Sequence, residues 1–153
     1  MIRWPDYQFL ENVGLVFYWF CRKYEITRAD LEFLLKLHGL QKKEGMFTLK
    51  DYRENRFHVG WTHDKWQRLL NDDWVYVYRR RSGASKNYNM YKITKRGMYA
   101  INDLYEMLRG EQKIPTTSRS NPMFAKDNKY TDWKSQDAIK AFNRDIDDNK
   151  LDR

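Results

Sequence analysis

Seven cations lie between Arg79 and Arg96 with no acidic residue among them: Arg79, Arg80, Arg81, Lys86, Lys92, Lys95 and Arg96. The chain carries a net charge of +8, and its distribution is uneven. Residues 1–78 hold 12 basic against 11 acidic side chains, 79–110 hold 8 against 2, and 111–153 hold 9 against 8. A spread-out excess would say little, whereas a focused one is the electrostatic footprint of a phosphate-backbone partner. The pI near 9.5 agrees with a nucleic-acid partner. The plainer alternative is a solvated basic surface, since alternation along Tyr76-Val77-Tyr78 sends half of such a strand away from any groove.

Other chemistries lack support in the residues. His38, His58, His63 and Cys21 do not have the paired spacing of a structural zinc site. There is no nucleophile motif and no phosphate-binding glycine loop. Gly39 and Gly45 read as helix stops, and Gly83 reads as a hairpin turn. Asp72 and Asp73 sit at a helix end rather than forming a catalytic acid pair. Cys21, the single cysteine, reads as a small core residue. The expectation is a non-enzymatic protein with no catalytic residue, no metal and no cofactor.

The elements that must position the cations begin at Thr62, a good N-cap, with Asp64 in the first helical turn. Trp66, Leu69 and Leu70 fall at helical spacing and leave Lys65, Gln67 and Arg68 outside. Trp74–Tyr78 and Tyr88–Ile93 carry strand-forming residues, with Ser82-Gly83-Ala84-Ser85 as the turn between them. A helix followed by a basic hairpin is the layout of a winged helix. Thr62, His63, Lys65, Gln67 and Arg68 would then face base edges and phosphates of duplex DNA in the major groove. Arg79, Arg80, Arg81, Lys86 and Asn87 would follow the backbone or the minor groove, with Lys95 and Arg96 beside them.

Around this stretch, Pro5 opens a first helix in which Tyr7, Leu10, Val13, Phe17, Tyr18 and Cys21 keep helical spacing, while Val16, Trp19 and Phe20 fill other faces. Such a helix packs either on a partner chain or at the centre of its own domain. Thr27 opens a second helix lined by Leu31, Leu34, Leu35 and Leu37 and stopped at Gly39. Gly45-Met46-Phe47 suits a short strand. Thr48 opens a third helix with Leu49, Tyr52 and Phe57, and Val59-Gly60-Trp61 turns into the Thr62 helix. Two short helices, each opened by Thr, have helix-turn-helix spacing. Thr94 opens the helix after the hairpin, and Gly110 stops it.

The fold class expected is α+β, mostly α. A winged-helix domain spans 1–110, a polar linker without regular structure 111–129, and a C-terminal helix and tail 130–153. In the last helix Trp133, Ile139, Phe142 and Ile146 fall on one side. The longest apolar run, Val13–Cys21, is shorter than the roughly 20 residues a bilayer span needs. Met1–Asp6 lacks the basic and apolar regions of a secretion signal. With a single cysteine, the expected location is a reducing one: the cytoplasm, or an infected host cell or virion.

In order, these elements resemble the MarR family of winged-helix transcription regulators over roughly Tyr24–Leu108. Ile26-Thr27 and its leucine-rich helix, Phe47-Thr48-Leu49-Lys50-Asp51-Tyr52, and above all Lys92-Ile93-Thr94-Lys95-Arg96-Gly97 carry the likeness. The family usually has Gly where this chain has Trp74. The resemblance implies a homodimer, joined by the first and last helices through Tyr7, Leu10, Phe17, Tyr18, Phe20, Trp133, Ile139, Phe142 and Ile146. The competing reading is a structural or assembly protein, for example of a phage particle, that uses a winged helix to bind other proteins.

Overall fold

The computed structural model describes residues 4–49, 62–80, 89–126 and 130–151. Helix α1 runs Trp4–Tyr24, α2 Arg28–Glu44 and α3 His63–Asn71. Strands β1 (Val75–Arg79) and β2 (Met90–Ile93) follow, then α4 (Lys95–Leu108), a 3-10 turn (Pro122–Phe124) and α5 (Tyr130–Leu151). The protein is therefore mostly helical with one small antiparallel sheet. It divides into two compact units, one of residues 1–28 with 102–153 and the other of residues 29–101. The helix expected to follow Thr48, the turn at Val59-Gly60-Trp61 and the hairpin tip with Ser82–Ser85 lie outside the described residues.

The 29–101 unit is built on Trp66. Its ring lies 6.3 Å from Phe33 of α2, 6.2 Å from Phe47 and 4.8 Å, edge-on, from Tyr91 of β2. Leu31, Leu34, Leu37, Leu69, Trp74, Val75 and Ile93 are buried with it. The sheet pairs Val75 with Ile93, Tyr76 with Lys92 and Val77 with Tyr91, and then slips so that Arg79 faces Met90. Tyr78 is thus the extra residue of a bulge. Phe47 and Tyr91 exchange both backbone hydrogen bonds, at 3.1 and 2.8 Å, so β2 has neighbours on both sides.

Helix α2 does not stop at Gly39; it continues to Glu44 and ends at Gly45, whose φ is +83°. Glycine at position 39 costs the helix some stability but does not end it, whereas Gly45 takes the left-handed conformation that ends helices. The extra turn has a use. Gln41 accepts a 2.7 Å bond from the Ile93 amide, tying α2 to the hairpin.

Two later helices end in the same way. At the end of α3, Trp74 N–H donates to Leu69 and Asp73 N–H to Leu70, with Asp73 at φ +62°. At the end of α4, Glu111 donates to Glu106 and Gly110 to Met107, with Gly110 at φ +73°. Both are Schellman caps that satisfy the last carbonyls.

In the other unit, α5 packs on α1 and on the 3-10 turn. Asp132, fully buried, accepts from the Tyr18 hydroxyl at 3.1 Å and from Arg22 at 2.8 Å. Ile139, Phe142 and Ile146 are buried, but Trp133 is 57% exposed. The inward stripe of α5 therefore starts at Asp132, one residue before the tryptophan expected there. The polar segment after Gly110 also departs from a featureless linker. Ile114, Asn121 and Met123 are buried. The Asn143 side chain accepts from the Ile114 amide and donates to its carbonyl, both at 2.9 Å. Gln136 donates to the Met123 carbonyl at 2.6 Å. Side-chain amides take the place of a strand partner here, and that signal has no sequence periodicity.

Candidate nucleic-acid interface

The charge separates along the structural boundary. Residues 29–101 hold 15 basic and 8 acidic side chains, and the rest of the chain holds 14 and 13. The 29–101 unit thus carries +7 and the other unit +1.

Helix α3 is set in place by its cap and its paired arginine. The Thr62 hydroxyl accepts from the Lys65 amide at 3.2 Å. Thr62 and His63 are exposed, and Lys65 and Gln67 are half-buried. Arg68 is exposed too, and it is also paired within the unit. Its Nε and Nη2 donate to the buried Asp30 carboxylate at 2.7 and 2.9 Å, clamping α3 to α2. That hydrogen bond, before any other cause, raises the Arg68 pKa above its ordinary value. The planar fork is committed to a carboxylate, the geometry guanidinium suits best. The exposed side of α3 also carries Asp64 and Asp72, so the helix by itself is close to neutral.

The cations stand instead on the hairpin and at the start of α4. Arg79, Arg80, Lys95 and Arg96 are exposed, and Lys92 is half-buried. Arg96 stacks 4.3 Å over the Trp74 ring and donates to the Asp72 carbonyl at 2.6 Å. Trp74 thus serves as a platform for a cation. Arg81, Lys86 and Asn87 lie outside the described residues.

Thr94 holds the hairpin against the end of α3. Its hydroxyl donates to the Asp73 carbonyl at 2.8 Å and accepts from the Gly97 amide at 3.1 Å. A Cβ on Gly97 would come within 2.7 Å of the Ile93 side chain and 3.2 Å of the Trp74 carbonyl. Close approach thus favours glycine at position 97.

Alternation decides the faces of the hairpin. Val75, Tyr91 and Ile93 point into the core, while Tyr76 and Tyr78 are 41% and 42% exposed. The Lys92 ammonium, across from Tyr76, lies 4.0 Å over the Tyr78 ring. Tyr76 and Tyr78 are not among the residues that charge and helix spacing select in the sequence. The signal that marks them is the two-residue period of β1, once Val75 is known to face inward.

Of the residues expected at an oligomer interface, Phe20, Ile139, Phe142 and Ile146 are buried within the single chain. Phe17 and Tyr18 are half-buried and Trp133 is exposed. The side chains of Tyr7 and Leu10 lie outside the described residues. Phe17, Tyr18, Cys21, Arg22 and Arg28 line an open cavity of about 380 Å³ on α1. Among the described residues no group of three or more His, Cys, Asp or Glu could hold a metal ion, and no helix is long and apolar enough to cross a membrane. Compared with known protein families, with curated proteins and with solved structures, the chain matches none of them.

Proposed function

We propose that the protein is a non-enzymatic, duplex-DNA-binding winged-helix protein, a transcription regulator of MarR-like layout, that meets DNA through residues 29–101. The observation that carries this reading is the charge. Seven cations without an acid run from Arg79 to Arg96, and the described ones stand on the hairpin and the adjoining helix start. The paired Phe47 and Tyr91 backbones support it, because a strand residue ahead of the helix-turn-helix that joins the wing is part of a winged-helix layout. Thr62, His63, Lys65, Gln67 and Arg68 are the α3 residues that would meet base edges and phosphates, with Arg68 held in position by Asp30.

The test is gel mobility with random duplex DNA at two salt concentrations. Arg79→Ala with Arg80→Ala should weaken binding to every sequence alike. The log–log salt slope should flatten by about 0.9 for each phosphate that is no longer neutralised. An unchanged slope would move the DNA-binding surface elsewhere. The assembly reading calls for a tail that seeks a surface on another protein, whereas Ile139, Phe142 and Ile146 of α5 are already buried within this chain.

A further inference from the structure

We propose that the outer face of the hairpin, Tyr76, Tyr78 and Lys92, binds unpaired nucleic acid by stacking bases on the two tyrosine rings. The inference rests on the nucleic-acid reading above and adds a second kind of strand to it. Two large aromatic rings stand exposed on one face of a two-stranded sheet whose opposite face is buried. No acidic residue occurs between Asp73 and Asp103, so every charged residue on the two strands is basic. Lys92 already sits over Tyr78, and the Arg79 guanidinium lies 5.8 Å from the same ring. Cations beside exposed rings are the components of single-strand sites, where the charge follows the backbone and the rings take the base faces.

Duplex DNA does not use such rings in that way. Its base faces are covered by their neighbours in the stack, so exposed rings have no base face to take there. Exposed rings flanked by cations therefore fit a single strand better than a groove.

The experiment follows fluorescence anisotropy of fluorescein-labelled oligothymidylate and of a labelled duplex of the same length, with the full chain. The parent should bind both. Tyr76→Ala with Tyr78→Ala should weaken oligothymidylate binding by about tenfold or more, as expected for loss of stacking, and leave duplex binding nearly unchanged. Tyr76→Phe with Tyr78→Phe keeps the rings and should retain oligothymidylate binding. Circular dichroism of each variant should match the parent, since both residues are surface positions. Equal binding by the alanine variant would overturn the inference. So would an equal loss in the phenylalanine variant, which would assign binding to the hydroxyls. A parent that binds duplex but not oligothymidylate overturns the stacking inference alone, whereas a parent that binds neither removes the DNA reading with it.

Discussion

Gly97 and His38 show how single residues set the energetics of the basic unit. A methyl group at position 97 would meet the buried, branched Ile93 side chain at 2.7 Å and the Trp74 carbonyl at 3.2 Å. Ile93 is stiff at χ1 and the carbonyl is backbone, so neither yields cheaply. Gly97→Ala should therefore lower stability by about 1–3 kcal/mol, read by denaturant unfolding. A variant as stable as the parent would mean that the start of α4 can shift away from the hairpin. His38 is held below its ordinary pKa, first by burial and then by the Lys42 charge. Unfolded, it takes up a proton as pH falls through about 6.5, and folded it resists until lower pH. More protons on the unfolded chain mean reduced stability. The contribution is thus intact above about pH 6.5 and declines below it. His38→Gln should make melting less sensitive to pH between about 7.5 and 5.5 than in the parent. Parallel curves would show that His38 is solvated like a free imidazole.

At the scale of elements, side-chain clamps join what periodic apolar faces pack together. Arg68 and Asp30 join α3 to α2, Gln41 joins α2 to β2, and Asn143 holds Ile114 against α5. The last of these is the easiest to isolate. Asn143→Ala removes an acceptor for the Ile114 amide and a donor for its carbonyl at once, beside a side chain that is 1% exposed. The expected cost is on the order of 2 kcal/mol, since two backbone groups lose their partners. Hydrogen exchange should localise the effect to residues 111–126 and α5. A change in melting with no change in exchange there would place the cost elsewhere in the chain.

At the scale of the molecule, the chain pairs a charged unit with a nearly neutral one, +7 against +1. Truncation after Gly110 deletes the buried Ile114, Met123, Ile139, Phe142 and Ile146 and takes Asp132 away from Tyr18 and Arg22. The shortened protein should melt well below the parent, while duplex affinity of the molecules that remain folded should hold. Loss of affinity with melting unchanged would place the DNA-binding surface in the tail instead. The described helices, the two paired strands and the cations on them were legible in the sequence because helix and strand periods, caps and charge runs are local. Trp66, Leu69 and Thr62 announce α3, and Val75, Tyr91 and Ile93 alternate as strands must. Tertiary structure alone decided which charges are paired and which residues share a unit. Arg68 meets Asp30 across 38 positions, and Tyr18 meets Asp132 across 114. A hydrogen bond between residues that far apart leaves no period in the sequence, so only the folded chain shows that Arg68 is a clamp, that Trp133 faces outward and that the polar segment after Gly110 is packed.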